Sequence, residues 1–162
     1  MKRILTVAST TGTNLILAKK IKGLLTYDNE IVCLENFPLP LYNPNIHNSE
    51  INSIDSLLSR FKACNSFIFC APEYNGGSPP ILTNAITWLS VSTENFRDIF
   101  NEKKALIATH SGGGGSCFLS SFRIQLEHLN VIVYPRTIKV NNKNPFNDKS
   151  TIKILEGFTK IL

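Results

Sequence analysis

The feature that most constrains this chain is an alternation of period. Five short apolar runs, at 4–8, 30–34, 66–71, 105–109 and 130–134, take turns with stretches whose apolar residues recur every three or four positions. Runs of that length bounded by turn residues read as strands, and the intervening stretches read as amphipathic helices. The spacing predicts helices over 15–25, 49–61, 78–91, 117–129 and 149–162. Their predicted buried stripes are Leu17, Ala18, Ile21, Leu24 and Leu25; Ile51, Ile54, Leu57, Leu58 and Phe61; Ile81, Leu82, Ala85, Ile86 and Leu89; and, in the last helix, Ile152, Leu155, Phe158, Thr159 and Leu162. Thr11 or Thr13 would cap the first of these helices, and Ser78 the third, with Pro79 at its first position.

Strands alternating with helices imply βαβ units and a parallel sheet covered on both faces. Right-handed crossovers leave few strand orders. We expect a flavodoxin-like three-layer α/β/α arrangement with a five-stranded parallel sheet in the order 2-1-3-4-5. No internal repeat or linker divides the chain, so residues 1–162 are expected to form one domain. No apolar run approaches the roughly 20 residues of a membrane span. The start of the chain has an apolar run too short for a secretory leader, which needs roughly 7–15 residues, and reads as a first strand. Cys33, Cys64, Cys70 and Cys117 are widely separated and form no C-x-x-C pair. They read as buried free thiols in a cytoplasmic protein. The net charge is +5, but the lysines are scattered, with their closest grouping between Lys139 and Lys149. That favours a solvated basic surface over a nucleic-acid face.

In an open parallel sheet, ligands bind at the carboxyl ends of the strands near the point where the order reverses. The loops after strands one, three and four should meet there, and they carry the least ordinary residues of the chain. The first, Ala8-Ser9-Thr10-Thr11-Gly12-Thr13-Asn14, is rich in hydroxyls and opens into a helix, whose free N–H groups favour a phosphate. It contains neither G-x-x-x-x-G-K-[ST] nor G-x-G-x-x-G, which excludes a Walker loop and a dinucleotide fingerprint. The second, Pro72-Glu73-Tyr74-Asn75-Gly76-Gly77, is a polar elbow behind a strand that reads as wholly buried. Its two glycines are expected to let the backbone approach a ligand. The third, His110-Ser111-Gly112-Gly113-Gly114-Gly115-Ser116, offers bare backbone. A phosphate at the first loop and a flat, polar-edged ring against the other two describe flavin mononucleotide, FMN. A hydrolase does not fit, because Ser111 lies in no G-x-S-x-G elbow and the histidines are not in triad order. Nor do His47, His110 and His128 have metal-ligand spacing. His110 reads as structural.

At this point the sequence resembles the NADPH-dependent FMN reductase family. "PEYNGGSPPILTNAITWL" aligns from Pro72 to Trp88 without a gap to that family's P-E-Y-N-G-x-x-P-x-x-L-K-N-A-I-D-W. "FPLPLYNP" resembles its L-P-L-Y-[ND] loop, and "HSGGGGS" followed by Arg123, Leu126 and Leu129 resembles its S-G-G-x-x-G…L-R-x-x-L region. The resemblance implies FMN contacts at Ser9, Thr11, Thr13 and Asn14 for the phosphate, and at Pro72, Glu73, Tyr74, Asn75, Ser111, Gly112 and Gly113 for the ring edge. It implies an oxidoreductase that takes a hydride from NADPH or NADH and passes electrons to a small-molecule acceptor such as a quinone. No catalytic side chain is assigned, since the cofactor carries the chemistry. A homodimer or homotetramer is also implied. The scattered lysines and the lack of a span-length apolar run, independently of the resemblance, give the expectation of no nucleic-acid and no membrane partner. The sequence departs from the family in two places. Thr11 stands where an arginine is usual, in a shortened loop, and Thr83 and Thr87 replace a lysine and an aspartate on the third helix. The loop "STTGTN" is also close to the flavodoxin pattern [ST]-x-T-G-x-T. A flavodoxin-type electron carrier or a non-catalytic flavin-binding protein is therefore the alternative reading, opposed by the basic charge.

Overall fold

The computed structural model describes residues 3–47, 49, 51–95 and 97–162. Met1 and Lys2, at the start of the region weighed as a leader, and Glu50, within the second expected helix, lie outside the described residues. The strands are β1 (Ile4–Ala8), β2 (Asn29–Cys33), β3 (Ser66–Cys70), β4 (Lys104–His110), β5 (Ile132–Val133) and β6 (Ile138–Val140). The helices are α1 (Thr13–Leu24), α2 (Ile54–Lys62), α3 (Pro80–Val91), α4 (Ser116–His128) and α5 (Asp148–Thr159). All strand pairs are parallel, in the order β2-β1-β3-β4-β5, which is the expected flavodoxin-like order.

The expected fifth strand is divided in two. Asn130 has φ 62° and closes α4, so the strand begins late. Pro135, which has no N–H to donate, follows soon after. β5 pairs with Lys104 and Ala105, and β6 pairs with Ala108 to His110 farther along β4. Together they make one interrupted edge, giving a six-stranded sheet. Arg123 braces the break: its guanidinium donates to the carbonyls of Val133 at 3.3 Å, Tyr134 at 2.8 Å and Pro135 at 3.3 Å.

Alternation along the strands divides the core. Leu5, Val7, Phe67, Phe69, Ala105 and Ile107 face α2, α3 and α4. Ile4, Ala8, Ile68, Cys70, Leu106 and Ala108 face α1 and α5. Every residue of β1 and β3 is buried, as expected for strands covered on both faces.

Several boundaries and stripes differ from the expectation. The second helix begins at Ile54, although Ile51 is buried ahead of it. A turn precedes it, held by the Ser53 hydroxyl donating to the Pro38 carbonyl at 2.7 Å. In α5 the expected Leu155 and Phe158 are buried, but Thr151 and Ile154 complete the stripe, while Ile152 is exposed and Thr159 and Leu162 are half-buried. Ile81 on α3 is only half-buried, whereas Trp88 is fully buried. Ser78 does not cap α3. Pro79 is the N-cap and Pro80 takes the first helical position, where a missing N–H costs nothing. Gly12, rather than either threonine, caps α1, with no side-chain capping bond. Cys117 is exposed in the first turn of α4, while Cys33, Cys64 and Cys70 are buried. Burial pushes those three thiols above their ordinary range.

Candidate functional site

The three polar loops meet because their strands run parallel side by side, and hydrogen bonds then lock them together. The Asn14 side chain, 1% exposed, donates from Nδ2 to the His110 carbonyl at 2.9 Å and accepts from the His110 N–H at 2.9 Å. This joins the loop after β1 to the end of β4. The Ser9 N–H donates to the Cys70 carbonyl at 3.0 Å, joining it to the end of β3. The Glu73 N–H donates to the Ser111 hydroxyl oxygen at 2.9 Å, joining the second loop to the third. Ser111 Oγ also lies 2.9 Å from Thr109 Oγ1.

The elbow is a tight turn. Tyr74 and Gly77 exchange both backbone hydrogen bonds, at 3.0 and 2.9 Å. Between them Asn75 and Gly76 have φ 49° and 73°. Two consecutive positive φ values make a type I′ turn, for which Asn-Gly is the preferred pair. Glycine at 76 thus has a local reason in the turn itself. The Glu73 carboxylate reaches across to α4 and accepts from the Phe118 N–H at 3.0 Å. It supplies from outside the capping acceptor that Gly115, the N-cap of α4, lacks.

In the third loop one glycine is sterically required. Gly115 has φ +69°, and a Cβ there would lie 2.8 Å from Thr109 Cγ2, on a fully buried residue. A Cβ at Gly112 or Gly113 would meet nothing within 4 Å. Gly115→Ala is therefore expected to cost about 2–3 kcal/mol. Gly113→Ala is expected to stay within about 0.5 kcal/mol of the parent. Urea unfolding of the two variants checks this, and equal effects would contradict the geometry.

The eleven residues singled out from sequence fall into two groups. Ser9, Asn14, Pro72 and Ser111 are buried, and Glu73 is half-buried; Asn14, Glu73 and Ser111 have their side chains engaged in the frame. Thr11, Thr13, Tyr74, Asn75, Gly112 and Gly113 are exposed around it. Ser9 Oγ is buried and has no hydrogen-bond partner among the described residues. The first hydrogen bond within α1 runs from the Ile16 N–H to the Gly12 carbonyl at 3.0 Å, so the preceding N–H groups have no partner inside the helix. A cavity of about 410 Å³ opens beside this helix end, between Thr13, Lys20, His110, Asn142 and Phe146.

Sequence reading missed one residue here. Glu35 stands on a 3₁₀ turn (Leu34–Asn36) directly after β2. Its Oε2 accepts from the Thr11 N–H at 2.7 Å. The Thr11 side chain and N–H together hold this carboxyl below the usual glutamate range. The signal was positional. Register pairs Ala8 with Cys33, so Glu35, two residues past β2, falls beside Thr11, three residues past β1.

The sheet order and the three linked loops at its carboxyl edge define a flavodoxin-like α/β protein. The chain belongs to the NADPH-dependent FMN reductase family, whose model matches residues 1–145. It is 27% identical over 128 residues to an NADPH azoreductase from Bacillus sp. (strain OY1-2), covering 78% of this chain and 68% of that protein. Over 60 residues it is 37% identical to an NAD(P)H-dependent FMN reductase of Schizosaccharomyces pombe, covering 36% of this chain and 26% of that one. Its fold is similar to that of FerB, a flavoenzyme NAD(P)H:(acceptor) oxidoreductase from Paracoccus denitrificans. The TM-score is 0.79 at 22% identity, over 99% of this chain and 94% of that one. Family membership makes this chain an FMN-dependent oxidoreductase with NAD(P)H as the reductant. Among the described residues no helix is long and apolar enough to cross a membrane.

Proposed function

We propose that this protein holds FMN across the three linked loops and reduces a small planar acceptor such as a quinone or an azo dye with NAD(P)H. The observation that carries the reading is the frame itself. Asn14, Glu73 and Ser111 are spent on joining the loops, which leaves exposed hydroxyls on one side and exposed backbone on the other. The residues suit the cofactor. Thr11, Thr13 and the first turn of α1 offer donors to a phosphate, with the orphaned Ser9 hydroxyl beneath them. Gly112 and Gly113 present backbone with open space above it for the ring edge. Tyr74, 49% exposed, stands beside that space as a cover for the ring. Pro72, Glu73 and Asn75 set the elbow, and Ser111 carries it.

When bound, FMN supplies hydride acceptance and electron release, and the protein supplies position and electrostatics. Asn14 fixes the distance between the phosphate end and the ring end. Glu73 fixes the elbow against α4. An azo acceptor is favoured alongside a quinone by the likeness to the Bacillus azoreductase. The proposal extends to one domain over residues 1–162 and a cytoplasmic location, which rest on the chain's length and its widely spaced cysteines, and to a homodimer or homotetramer, which rests on the family resemblance.

The test is anaerobic. FMN-loaded protein should lose its visible flavin band on addition of NADPH or NADH and regain it on addition of benzoquinone or an azo dye. A band untouched by both nucleotides would remove the reductase reading and leave a flavodoxin-type carrier or a flavin-binding protein. Light scattering coupled to size exclusion checks the oligomer.

A further inference from the structure

The loop after β1 contains no charged residue between Ser9 and Asn14, and the first turn of α1 has no acidic one. An anion is nevertheless supplied beside this helix end from within the chain. Glu35 comes from the 3₁₀ turn that follows the adjacent parallel strand β2, and its carboxylate oxygen sits 2.7 Å from the N–H of Thr11, just ahead of the Gly12 N-cap. That N–H belongs to the group of donors which, on the reading proposed above, hold the phosphate.

We propose that Glu35 is a specificity-determining residue, an internal anion that competes with the flavin's phosphate for the Thr11 donors and so sets how strongly the protein prefers FMN to riboflavin. A dianionic phosphate arriving at Thr11 must displace the carboxylate or share the site with a like charge. Either event lowers the affinity contributed by the phosphate and leaves that contributed by the ring untouched. The loop itself has no arginine to offset this. The protein then discriminates weakly between the phosphorylated and unphosphorylated flavins, and it exchanges its cofactor readily.

The contact is exposed to solvent, so the effect is modest, because charges at a surface interact weakly. Glu35→Gln removes the charge and keeps an oxygen able to accept from Thr11. Glu35→Ala removes both. FMN and riboflavin are titrated separately against flavin-free parent and variants, following the quenching of flavin fluorescence, with circular dichroism to verify folding. Both variants are expected to bind FMN about 3- to 10-fold more tightly than the parent and riboflavin within about twofold of it. Inorganic phosphate should compete for FMN at lower concentrations in the variants. The inference rests on the loop holding the phosphate, and the outcomes separate the two. FMN binding that weakens selectively shows that the loop holds the phosphate with Glu35 assisting, which overturns the inference alone. FMN unchanged in both variants overturns it as well. Equal changes for FMN and riboflavin overturn both the inference and the loop assignment.

Discussion

Asn14→Ala lowers stability by about 2–4 kcal/mol and weakens FMN binding at least about tenfold. The stability loss follows from burial. The Asn14 amide is 1% exposed and satisfies both backbone groups of His110. Alanine leaves a part-buried N–H and a part-buried carbonyl of His110 without partners, and each such group carries its own desolvation penalty. The binding loss follows from position, since this amide ties the phosphate side of the frame to the ring side. A tenfold loss needs only about 1.4 kcal/mol, less than the expected disturbance. FMN and riboflavin should suffer together, because the distance between loops matters to both. Asn14→Asp sharpens the test. It keeps an acceptor for the His110 N–H, loses the donor to the His110 carbonyl and sets a charge against that carbonyl. It is expected to destabilise at least as much as alanine. Urea unfolding of flavin-free protein and a fluorescence titration read the two effects. A variant as stable as the parent would show that the bridge carries no weight.

How legible this site was in the sequence depends on which interaction placed each residue. The strands were plain because β1 and β3 are buried on both faces and therefore written as unbroken apolar runs. β5 and β6 were less plain, because a short edge pairs along one side only and tolerates the interruption at Pro135. Helix starts were misplaced where proline or glycine, rather than a hydroxyl cap, fixed the first turn, as at Pro80 and Gly12. In α5 Leu155 and Phe158 were legible, whereas the side of the stripe at Thr151 and Ile154 was missed, in part because Thr151 is buried despite its hydroxyl. In the site, motif spacing found the three loops but not the division of labour within them. Asn14 and Glu73 look like ligand contacts in sequence, yet their side chains bond to the backbone of distant residues. Glu35 was invisible to a reading confined to single loops. Its meaning depends on the register of β1 against β2, which the expected strand order alone does not give.

The same long-range logic governs the other large effect, at Trp88. Trp88→Ala is expected to cost about 3–5 kcal/mol, as truncating a fully buried aromatic does. The indole is 1% exposed and lies edge-on to Tyr42, with ring centroids 5.0 Å apart. Its Nε1–H donates to the Pro40 carbonyl at 2.8 Å. One turn earlier on the same face of α3, the Asn84 amide donates to that carbonyl at 2.9 Å and accepts from the Tyr42 N–H at 2.8 Å. A loop with repeated proline cannot form a regular ladder of its own. α3 supplies the missing partners from two side chains spaced four residues apart, which lie on one face of a helix. The two motifs "FPLPLYNP" and "PPILTNAITWL" are thus halves of one latch. Trp88→Phe keeps the ring packing and loses only the N–H bond, while Asn84 continues to satisfy Pro40, so about 1 kcal/mol is expected. Coupling between Trp88→Phe and Asn84→Ala in a double-mutant cycle should reach at least about 0.5 kcal/mol, since both act on one carbonyl. Limited proteolysis should then cut near Leu41, which is 83% exposed, sooner in Trp88→Ala than in Trp88→Phe. Simple additivity in the cycle, or equal proteolysis of the two variants, would separate the loop from the helix and dissolve the latch.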